Sequence, residues 1–104
     1  EKNSESRLIL VTLNSLESAI HTAKILLSEK IAHYCSVVPQ VHSFFSWNDS
    51  IVEKNEAILF IRTECNQVKE LQERIIQINK DIPAEMLSFK VEICPDDVLD
   101  VFNI

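Results

Sequence analysis

Residues 33–63 read HYCSVVPQVHSFFSWNDSIVEKNEAILFIRT. Both halves of this stretch are rich in β-branched and aromatic residues, which pack well on a pleated surface. Between them stand Asn48, Asp49 and Ser50, whose short polar side chains bond their own backbone and favour a turn. Pro39 has no N–H to give to a strand ladder, so the first half must bend there or run along a sheet edge. The second half holds the apolar run AILFI at residues 57–61. The pattern predicts a long β-hairpin, 33–47 paired with 51–63, with a buried return strand.

Working outward, residues 16–30 carry Leu16, Ala19, Ile20, Ala23, Leu26 and Leu27 at three- and four-residue spacing, which predicts a helix with one apolar face. Asn14 with Glu17 supplies a helix start. Before it, residues 7–13, RLILVTL, predict a buried strand. Downstream, Val68, Leu71, Ile75 and Ile78 share the face of a second helix running from near Cys65 to near Asn79, stopped ahead of Pro83. Glu70 and Arg74 on it are spaced for an i,i+4 ion pair. Leu87, Phe89, Val91 and Ile93 then alternate with Ser88, Lys90 and Glu92, predicting a strand with one packed face. Pro95-Asp96-Asp97 opens a short terminal helix through about residue 102. Residues 1–6 read as a flexible tail and 7–104 as one domain.

The order strand, helix, hairpin, helix, strand is that of an α+β ferredoxin-like sandwich, βαββαβ, with both helices on one face of an antiparallel sheet. The other sheet face is left bare in a single chain. Its apolar content, with Phe44, Phe45 and Trp47, points to covering by partner subunits, those three residues being trimer interface or core.

Composition removes several functions. The chain of 104 residues carries 10 basic and 16 acidic side chains, a net charge of −6, whereas a nucleic-acid binder needs a basic surface to displace counterions from phosphate. No run approaches the ~18 apolar residues of a transmembrane helix, so no membrane partner is expected. Glycine is absent, which rules out a P-loop and a G-x-G-x-x-G turn. It also leaves every tight turn to asparagine, aspartate or serine. The three cysteines, Cys35, Cys65 and Cys94, are odd in number and widely spaced. They read as reduced thiols rather than a disulfide or C-x-x-C framework. That suits a cytoplasmic protein, with an upstream targeting segment left open.

For metal chemistry, His33 and Cys35 lie two apart on the expected strand and so share a face. Imidazole and thiolate suit copper or zinc, and a third ligand would come from a neighbouring subunit. His42 falls on the opposite face and His21 on the polar side of the first helix. Glu53 and Glu56 could hold a hard cation weakly but read as a solvated acidic turn. No G-x-S-x-G or H-E-x-x-H occurs, and no orienting group accompanies the cysteine and histidine, so the chain reads as a non-enzyme.

The segment EKIAHYCSVVPQVHSFFSW, residues 29–47, resembles the signature of the CutA family, proteins linked to divalent-cation tolerance. There a helix end E-[KR]-L-A-A-C leads into V-P-x-V/I and S-x-Y-x-W. Glu29, Lys30, Ile31 and Ala32 match the start. Val38, Pro39 and Val41 match the middle, and Ser43, Phe45 and Trp47 the end. VEKNEAILFIRT, IPAEM and PDDVLDVF resemble later family segments. The resemblance implies a homotrimer in which hairpin strands extend across subunits, associated with tolerance or binding of divalent metal such as copper. The alternative it permits is a non-catalytic trimeric scaffold that anchors or localises a protein partner. Three departures stand out. Tyr34 occupies the position of the family's proposed ligand cysteine, with Cys35 one residue later and hence on the opposite face. The family's H-P-Y-E is replaced by residues 78–81, INKD, and its W-x-G-K turn by WNDS. The family's presumed metal ligands are therefore altered.

Overall fold

The computed structural model describes residues 5–80, 85–92 and 94. Strand β1 (Ser6–Leu13) leads to helix α1 (Leu16–Ser28), then β2 (Tyr34–Trp47) and β3 (Ser50–Glu64). A 3-10 turn (Cys65–Gln67) opens helix α2 (Val68–Ile78), and β4 (Met86–Lys90) follows. The four strands form one sheet in the order β2-β3-β1-β4, antiparallel throughout. This is the predicted ferredoxin-like α+β arrangement. Ser6, assigned to the tail by composition, is the first residue of β1 and pairs with Glu64. The expected terminal helix at 95–102, and Ile93, lie outside the described residues.

Helix α1 is capped by Ser15 rather than by Asn14. Ser15 stays extended, with φ −152° and ψ 159°, so its Oγ accepts from the Ser18 N–H at 3.1 Å. The buried stripe of α1 is Ala19, Thr22, Ala23 and Leu26. It is narrower than the predicted face, because Leu16, Ile20 and Leu27 flank it and stay about 40% exposed. Small residues in the stripe let the helix approach the sheet closely, and the buried Thr22 hydroxyl accepts from Asn79 Nδ2 at 3.2 Å. The helix ends in a Schellman motif: Lys30 N–H donates to the Leu27 carbonyl and Ile31 N–H to that of Leu26. Lys30 takes the left-handed φ of 61°, where glycine is the usual choice. Ile31 and Leu26 are both buried in the core, which is the apolar contact that closes such a motif.

Helix α2 buries Leu71 and Ile75, with Val68 and Ile78 packed beside them, as its spacing predicts. Arg74 does not form the predicted pair with Glu70. Its guanidinium grips Glu29 through two bonds, Nε to Oε1 at 2.8 Å and Nη2 to Oε2 at 2.7 Å. The fork geometry of arginine favours this two-point contact over a single one along the helix. It ties the end of α1 to α2, and the Arg74 hydrogen bonds hold the Glu29 carboxyl below its ordinary pKa.

Strand alternation sorts the sheet into two faces. Ile9, Val11 and Leu13 of β1 and Ala57, Leu59, Ile61 and Thr63 of β3 are buried with Leu26, Leu71 and Ile75 beneath the helices. Strand β4 departs from its predicted role. Leu87 and Phe89 pair with Leu10 and Leu8, so its apolar side lies on the face away from the helices, while Met86 reaches the core. In β2 the register slips between Val38 and Val41, so that Pro39 and Gln40 stand against the single residue Ala57. This is a β-bulge on an edge strand, and it realises both of the places predicted for Pro39.

The β1 ladder ends at Leu13 with Ala57. Residues Ser50 to Glu56 therefore pair with β2 alone, and the hairpin runs on as an arm about 20 Å long at ~3.3 Å per residue. The molecule measures 50 × 30 × 23 Å. Asn48 and Asp49 turn the arm with φ of 50° and 63°, the pair of left-handed residues that a type I′ turn requires. Ser50 already pairs with Trp47 and so belongs to β3.

Candidate functional site

The face of the sheet away from the helices is built in cross-strand rows. Tyr34, Arg62, Leu8 and Phe89 are successive neighbours across β2, β3, β1 and β4, and Ser36, Phe60, Leu10 and Leu87 form the next row. Tyr34, Val38, Leu87 and Phe89 are exposed. At one end of this face Leu8, His33, Tyr34, Ser36, Phe60, Arg62 and Val91 line a cavity of about 540 Å³.

The arm continues this surface. Val41, Phe45 and Trp47 lie on the side of Val52, Lys54 and Glu56; His42 and Phe44 lie on the other side with Glu53. Phe44 is 63% exposed, Trp47 65% and Ile51 78%, with Phe45 exposed as well. On the second side His42 Nδ1 meets Glu53 Oε2 at 2.7 Å. On the first, Lys54 Nζ stands 3.8 Å from Glu56 Oε2. Glu56 is only 7% exposed, and so is not the solvated turn residue predicted. It sits where the arm leaves the sheet, and with Asn14, Ser15, Leu16, Pro39, Gln40 and Asn55 it lines a second cavity of about 360 Å³.

His33 and Cys35 have different surroundings. Strand β2 begins at Tyr34, so strand alternation does not govern His33. Its ring lines the outer cavity, and Nε2 lies 3.0 Å from Glu64 Oε2. Cys35 pairs with Ile61 and packs against the inner core, where burial pushes its thiol up to about 11. Thiolate is the ligand form, so a metal taking Cys35 would have to displace its proton. Tyr34, at the family's cysteine position, points outward and is exposed. Among the described residues no three His, Cys, Asp or Glu side chains are grouped as a metal site. The described residues of one chain therefore bring together fewer donors than the four of a structural zinc site. Cys65 and Cys94 are exposed free thiols, and Arg7 Nη2 lies 3.6 Å from Cys65 Sγ.

Sequence reasoning took Glu56 for a solvated turn residue and did not single out Arg62. Arg62 stands near the end of the family-like segment VEKNEAILFIRT, and the parity it shares with Phe60 and Ile58 places a cation on their face of the sheet. The family pattern described as CutA1 divalent ion tolerance protein matches residues 7–101. The chain belongs to this family. It is 28% identical over 83 residues to the divalent-cation tolerance protein CutA of Thermus thermophilus, covering 80% of this chain and 81% of that protein. It is 29% identical over 70 residues to the CutA homolog of Xenopus laevis, covering 67% of this chain and 46% of the frog protein. The chain thus spans about half the length of that vertebrate relative. The solved Thermus thermophilus CutA1 structure superposes with a TM-score of 0.79 at 27% identity, over 91% of this chain and 92% of that one.

Proposed function

We propose that this CutA-family chain acts in divalent-cation tolerance as a non-catalytic homotrimer, assembled through its outer sheet face and hairpin arm. The observation that carries this reading is the exposure of Phe44, Phe45, Trp47 and Ile51 on an arm with no sheet behind it. An apolar surface of this extent on a small chain marks an interaction site. Edge strand β2 adds a row of backbone groups free to pair with another copy. Each arm reaches past its own sheet, so the contact joins unlike surfaces, and such head-to-tail contacts close into rings. The number three comes from the family resemblance. This reading gives His33 and Cys35 no ligand role within one chain; copper or zinc would need donors from more than one copy. The test is light scattering on reduced protein. A mass three times the 11.9 kDa chain supports the reading, and a single-chain mass at micromolar concentration overturns it.

A further inference from the structure

We draw no further inference here: the strongest candidate, the cavity of about 360 Å³ that the buried Glu56 lines at the root of the hairpin arm, opens beside the arm side of Phe45 and Trp47 that the proposed assembly covers, and nothing in the structure shows what fills it.

Discussion

The hydroxyl of Thr63, wholly buried at the end of β3, donates to the Ile31 carbonyl at 2.7 Å. It joins the sheet to the segment leaving α1, at the point where the helical backbone has run out of its own donors. Thr63→Val keeps the shape and removes the donor. It should destabilise the chain by about 1–2 kcal/mol, the cost of a buried acceptor left unmet. The measurement is a urea unfolding midpoint, with Thr63→Ser expected to recover most of the loss.

Lys30 holds a left-handed conformation that costs a residue with a Cβ about 1 kcal/mol. Lys30→Gly should therefore raise stability by about 0.5–1 kcal/mol, despite the added freedom of glycine in the unfolded chain. Thermal melts of the two proteins at one concentration decide it. A lower midpoint for Lys30→Gly would show that the Lys30 side chain contributes more than its backbone costs.

The bond from Arg74 to Glu29 sets the sign of an acid effect. The folded carboxyl lies below its usual 4.5, so it contributes stability at neutral pH, and that contribution is lost as pH falls below the usual value toward the lower folded one. Glu29→Gln should lower the neutral-pH midpoint and flatten the acid limb. Urea midpoints taken from neutral pH down to about pH 3 test this. An acid limb that parallels the parent's would mean that this pair carries none of the pH dependence.

Thiol chemistry should separate the three cysteines. Cys65 and Cys94 are exposed, while burial raises Cys35 to about 11. Thiolate is the reacting species, so iodoacetamide at neutral pH should label Cys65 and Cys94 first, and Cys35 only after unfolding. Peptide mass spectrometry gives the order directly.

Trp47 lies far along the arm from Leu26, Leu59 and Ile75 at the centre of the core. Trp47→Asp should leave the far-ultraviolet circular dichroism of the chain intact while lowering its mass in solution. A variant that keeps the parent's mass would move the contact to the sheet face alone.

The hairpin, both helices and the order of elements were legible because each rests on local chemistry: apolar spacing, Asn48-Asp49 at the turn, and Pro39 at the edge. The details that failed depend on neighbours distant in sequence. Arg74 had a correctly spaced Glu70 on its own helix, but Glu29 arrived from another element with better geometry. Leu87 and Phe89 alternate correctly, yet the sequence does not say which side of the sheet the helices cover. Glu56 looks like any acidic turn residue until Pro39 and Gln40 fold beside it. His33 and Cys35 share a parity on paper, but β2 starts one residue too late to impose it. The candidate site was the least legible part, because the cross-strand rows that set Arg62 between Tyr34 and Leu8 join residues far apart in sequence.

The bulge at Pro39 and Gln40 makes the arm's surface a matter of counting. Before it, the even-numbered Tyr34, Ser36 and Val38 face outward; after it, the odd-numbered Val41, Phe45 and Trp47 take that side. Without the extra residue Phe44 would join the outer face, and Phe45 and Trp47 would turn away. Deleting Gln40 would thus rewrite a whole surface without substituting a side chain on it. For this chain, a gain or loss of one residue at the bulge is a larger step than many substitutions, and relatives that differ there would present different surfaces from near-identical strands.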